Sequence, residues 1–108
     1  MAIFDDFWSQ LKSGVVGFAE NSWKDFKDAA INDGEDFLNK TKEDIQKWTV
    51  QLAEKKINGD DFEWLLKGKK DLAELVLLKQ KGLVKADLDK FTNGLVDTVV
   101  STAVKVFL

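Results

Sequence analysis

Apolar residues recur along this chain every eleven positions, in columns that run through nearly its whole length. Stepping by eleven from Phe4 reaches Val15, Phe26, Phe37 and Trp48; from Trp8, Ala19, Ala30, Thr41 and Leu52; from Trp23, Gly34 and Ile45. After Asn58-Gly59 the columns restart as Phe62, Ala73, Val84, Leu95 and Val106, beside Leu66, Leu77, Leu88 and Val99. Eleven residues over three turns is about 3.67 per turn, so each column lies along one nearly straight stripe of an α-helix. The pattern predicts an all-α chain of one domain, 1–108, folded as an antiparallel hairpin of two long helices with 11-residue apolar periodicity. The first helix is expected over about 3–57, the turn at 58–60 and the second helix over about 61–107.

Local signals mark the turn. Lys55 and Lys56 complement the dipole at a helix C-terminus, and Asn58-Gly59 supplies a left-handed stop. Asp60 then fits an N-cap, with Glu63 three residues later completing a capping box. Two weaker breaks, Asn32-Asp33-Gly34-Glu35-Asp36 and Lys81-Gly82-Leu83, define the competing arrangement. If both broke the helices, the chain would be a compact up-down four-helix bundle with helices near 3–31, 35–57, 60–81 and 84–107. The hairpin is preferred because the columns hold their phase through both places, which an arbitrary loop has no reason to preserve. Paired about the turn, facing residues sum to roughly 118, a short-turn αα-hairpin geometry that sets Leu52 on Leu66, Ile45 on Ala73 and Gly34 opposite Val84.

A two-helix hairpin buries one stripe per helix, and this chain carries more apolar residues than one stripe holds. The excess gathers where the two ends of the chain meet: Phe4, Phe7, Trp8, Leu11 and Phe18 on the first helix, and Val96, Val100, Val104, Phe107 and Leu108 on the second. Left exposed, such a surface calls for a partner or a lipid interface. These ten residues are the expected assembly interface.

Composition narrows the function classes. There is no Cys and no His, so thiol nucleophiles, zinc clusters and imidazole bases are absent, and the Glu-x-x-His motifs of di-iron bundles cannot be formed. The carboxylate pairs Asp5/Asp6, Asp60/Asp61 and Asp87/Asp89 lie at helix starts or on lysine-bearing polar faces, and Asp60-Asp61 lacks the alternating ligands of a calcium loop. No catalytic residue, cofactor or metal site is expected, and no enzyme. Net charge is −3 and all sixteen basic residues are lysine, which provides neither a basic footprint nor the planar fork of arginine for nucleic acid. Of the four tryptophans, Trp8, Trp23 and Trp48 sit in the columns as core or interface anchors; Trp48 falls near Lys69 and Lys70, and Trp64 lies off the columns. The N-terminal Met1–Asp6 is acidic where a signal peptide is basic, and the longest apolar run, 95–108, is interrupted by Asp97 and Lys105. Neither export nor a membrane span is expected, which makes the cytoplasm the default location.

Two functional readings remain. The first is a non-enzymatic structural or interaction protein whose hairpins pack through the second apolar face into a homo-oligomer or filament, or against a foreign helical partner. The second is an amphipathic lipid- or granule-surface protein: the eleven-residue period is similar to that of apolipoproteins, perilipins and synucleins, whose helices lie on lipid. Size and hairpin shape also resemble the WXG100 class, although the turn here is Asn58-Gly59 and not the Trp-x-Gly of that class. The aromatic, small-against-large character of the apolar face favours the first reading.

Overall fold

Two long helices of the expected hairpin would span about 80 Å, yet the computed structural model, which describes residues 2–108, measures only 42 × 23 × 19 Å. The difference comes from breaks inside both. Helix α1 (Ala2–Ser22) ends in a 3-10 turn, Lys24–Phe26, before α2 (Lys27–Ala53) begins. Helix α3 (Gly59–Lys67) is followed by a second 3-10 turn, Lys70–Leu72, then the short α4 (Val76–Gln80) and the long α5 (Lys85–Phe107). The described residues form helices and the turns between them, with no strand. A continuous helix over 3–57 is therefore not formed, nor is one over 61–107. Of the two weaker breaks, Lys81-Gly82-Leu83 is real, with Gly82 in the left-handed region at φ 86°. The Asn32–Asp36 segment runs unbroken inside α2.

The side-chain pairs show how the helices lie. Phe7 meets Phe107 with ring centroids 5.1 Å apart, and Phe18 meets Phe91 at 5.5 Å, so α1 and α5 are antiparallel. Lys42 stands over the Trp8 ring, and Val15 lies against Gly34, so α1 is also antiparallel to α2. Coming back along α2, Phe62 packs edge-on against Trp48, Lys69 pairs with Asp44 at 3.5 Å, and Glu74 pairs with Lys40. These partners sum to 110–114 instead of 118, so the return strand of helix sits several residues out of the expected register. Gly34 faces Val15, Phe91 and Leu95, not Val84, which is exposed.

The break after Ser22 has no local cause: no Gly or Pro occurs between Phe18 and Asp33. Tertiary burial outweighs it. Folding α1 back encloses Phe7, Leu11 and Val96 completely, together with most of the other apolar residues that a straight hairpin would leave in water. Three fully buried side chains of this size contribute about 1.5–3 kcal/mol each, whereas the few backbone hydrogen bonds lost at the break are worth roughly 0.5–1.5 kcal/mol each. Burial wins.

The turn near residue 58 is present with its roles redistributed. The left-handed residue is Lys55, at φ 61°, and Gly59 is already the first residue of α3. Lys56 N–H donates to Gln51 O and Lys55 N–H to Leu52 O, a Schellman closure with lysine where glycine is usual. The N-cap of α3 is Asn58, not Asp60: Asn58 Oδ1 accepts from Asp61 N–H at 2.8 Å, and Asp61 Oδ2 accepts from Asn58 N–H at 3.1 Å. Asparagine caps as well as aspartate, so the capping box forms two residues earlier than expected and releases Glu63 to pair with Lys67 at 3.3 Å. Gly59 has a packing reason instead, since a Cβ there would lie 3.2 Å from Val104 Cγ2.

Candidate functional site

The residues expected to form a face between copies are mostly inside one chain. Phe7, Leu11 and Val96 are fully buried; Phe4 and Trp8 are buried; Phe18, Val100, Val104 and Phe107 are half-buried. Only Leu108, 60% exposed, stands free. A straight hairpin buries a single stripe per helix, whereas the return of α1 onto both α2 and α5 gives the second stripe an internal partner. The chain ends do meet as expected, but as core.

What remains exposed at that end is smaller and differently composed. The first turn of α1, the last turn of α2 and the last turn of α5 enclose a cleft of about 260 Å³ lined by Ile3, Phe4, Thr49, Val50, Ala53 and Phe107, with Gln46 and Glu54 at its rim. Ile3 is 56% exposed and Val50 45%. Thr49 has its hydroxyl satisfied by Gln46 O at 2.9 Å, so it offers the cleft little unmet polarity. The floor is aromatic: Phe4 stacks on Trp8 at 5.7 Å and lies 5.8 Å from Phe7. Ile3 was visible in the sequence as one of many apolar residues near the ends; Val50 and Ala53 lie outside the columns.

Several polar side chains elsewhere serve the fold. Asp33, only 4% exposed, reaches from the second turn of α2 to accept N–H bonds from Leu77 at 3.3 Å and Leu78 at 2.8 Å, capping the start of α4 after the left-handed Leu75. Lys40 lies between Asp36 and Glu74; the hydrogen bond to Glu74, then that to Asp36, raises its pKa above the usual lysine value. A cation–π contact forms at Trp8, under Lys42 at 5.0 Å, and Lys69, expected near Trp48, pairs with Asp44. Trp64, off the columns in sequence, is 75% exposed on α3.

A broad cleft, about 880 Å³, opens between the end of α1 and the start of α5, with Phe18 and Trp23 on one side and Asp87, Asp89, Lys90 and Asp97 on the other. Among the described residues no three acidic side chains converge in a way that could hold a metal ion. No helix there is long and apolar enough to cross a membrane. Comparison with protein-family models, with curated proteins and with solved structures finds no match to the chain.

Proposed function

We propose that the chain is a non-enzymatic interaction protein that associates with copies of itself, through its terminal end and not along its flank. One observation carries the reading: Ile3, Val50 and Leu108, all at least 45% exposed, stand at the end where Phe4 and Phe107 floor an apolar cleft. We read the architecture as four antiparallel rods, α1, α2, the broken α3–α4 and α5, so that one end collects both chain termini. A second copy meeting this end about a twofold axis brings identical apolar rims together and closes as a pair, which fits the rule that an isologous contact is self-complementary. Lys105, beside the C-terminal residues, lays its stem over such a seam with its ammonium in water.

Sedimentation of the wild-type chain against Val50→Asp tests this. The wild type is expected to pass from monomer to dimer with rising concentration, and the variant to stay monomeric with unchanged helix content. A wild-type monomer at high micromolar concentration overturns the reading, and so does equal association of the variant. Association seen only when vesicles are present would assign the same end to a lipid surface.

A further inference from the structure

We propose that α1 is an exchangeable arm: it can leave its own chain by straightening at Ser22–Phe26 and occupy the same place on α2 and α5 of a second copy. The result is a twofold pair joined by two continuous α1–α2 helices. This mode of association does not depend on the terminal-end contact.

The first support is the character of the break. It contains neither Gly nor Pro, and neither the 3-10 turn nor α2 has a side-chain N-cap. The backbone bonds across it are Trp23 N–H to Ala19 O and Phe26 N–H to Trp23 O. A straight helix through residues 23–27 would restore the regular ladder there, so the local sequence prefers the open form and only tertiary packing holds the closed one.

The apolar columns supply the second support. Val15, Phe26 and Phe37 follow one another at eleven, as do Ala19, Ala30 and Thr41. The sequence therefore keeps helical phase through a place where the folded monomer has no helix to keep in phase. A continuous α1–α2 helix presents these residues on one stripe.

Third, the break has room to move. Open clefts of about 880 and 220 Å³ border Ser22 and Trp23 on the side of α5, and straightening gives up the edge-on contact of Trp23 with Phe91 at 5.5 Å.

The destination is specific. On leaving, α1 would carry Phe7, Leu11, Val15 and Ala19, all fully buried in the monomer, into water. The surface shaped to receive them is the groove α1 has vacated, where the missing side chain of Gly34 accommodates Val15; a Cβ at Gly34 would lie 2.8 Å from Val15 Cγ1. A second copy provides the same groove. Because α1 is antiparallel to α2, the arm of one copy enters an inverted partner placed end to end with it, and that partner's arm returns by the same operation. The exchange closes as a dimer that keeps the contacts α1 makes in the monomer.

The chain has no cysteine, so one engineered pair reports which chain supplies the arm. A Cβ at Gly14 would lie 3.2 Å from Thr98 Cγ2, which makes Gly14→Cys with Thr98→Cys a suitable pair between α1 and α5. The doubly substituted chain is refolded from denaturant at high concentration under reductant, and its dimer fraction is isolated, oxidised and run on a non-reducing denaturing gel. Covalent dimers from that fraction, with only intrachain links in the monomer fraction, are the expected result. A dimer fraction linked only within chains overturns the exchange while leaving the terminal-end contact standing, and the lack of any dimer fraction overturns the exchange as well. Should the double substitution fail to fold, Lys27→Pro in the cysteine-free chain decides. Lys27 is the first residue of α2 at φ −49°, close to the angle proline fixes, and proline there blocks a continuous helix. It should lower the refolded dimer fraction at least tenfold with monomer helix content kept; an undiminished dimer fraction refutes the proposal.

Discussion

Replacing Phe7 with Ala separates the folded chain seen here from the hairpin its sequence suggests. In a straight hairpin Phe7 would lie on the outer face, and its loss would weaken association while leaving the protomer intact. In the structure Phe7 has no exposed surface; its ring lies 5.1 Å from Phe107, edge-on, and 5.8 Å from Phe4. Truncating a buried Phe to Ala removes its transfer free energy and leaves a cavity, together about 3–5 kcal/mol. A domain of this length has roughly 5–15 kcal/mol of total stability, so the variant retains a fraction of it or unfolds. With a urea dependence of about 2 kcal/mol per molar, the midpoint should fall by roughly 2 M. Urea titration followed by circular dichroism, at a concentration where the wild type is monomeric, measures the shift. Val50→Asp is the control, an exposed change expected to stay within about 0.5 kcal/mol. If Phe7→Ala leaves the monomer midpoint in place, Phe7 is not core and the reasoning fails.

Further predictions follow from single contacts. Gly17→Ala should stabilise the monomer by about 0.5–1 kcal/mol, because a helical glycine gains a methyl group and nothing lies within 4 Å of its Cβ position. Gly34→Ala, the same chemistry, should destabilise by about 1–3 kcal/mol as the new methyl drives Val15 aside; thermal melts of both variants should move in opposite directions. Asp33→Ala leaves the part-buried Leu77 and the buried Leu78 N–H groups without their acceptor, at about 1–3 kcal/mol for the buried donor. Hydrogen exchange should show faster exchange concentrated at the start of α4, and uniform protection there would refute the capping role. Lys40→Met removes the exposed pairs to Asp36 and Glu74 and should change the melting temperature little.

Much of the local structure was legible without coordinates. Helical class follows from the apolar spacing, and a reversal before Phe62 follows from Asn58-Gly59-Asp60-Asp61. The cap lies two residues before the expected Asp60: three neighbouring side chains can all cap, and in the fold Gly59 packs beneath Val104 as the first residue of α3, with Asn58 as the boundary. Gly82 is a stop because its left-handed backbone has no packing rival. At Gly34 the same glycine signal is silent, since its role there is to admit Val15, and Asp33, which looked like part of a helix stop, is a buried cap for a helix more than forty residues away.

By itself, then, the sequence determines which side of each local helix is apolar, because that depends on residues three, four and eleven positions apart in the same chain segment. It cannot decide whether Ser22 to Lys27 stays helical. That choice sets a few local hydrogen bonds against burial on α5, whose contributing residues lie far along the chain and are specified only once the helices have met. Tertiary structure settled that comparison in favour of burial, and in doing so turned an expected interface of Phe7, Leu11 and Val96 into core. Ile3, Val50 and Leu108 are left at the surface, beside the cleft floored by Phe4 and Phe107.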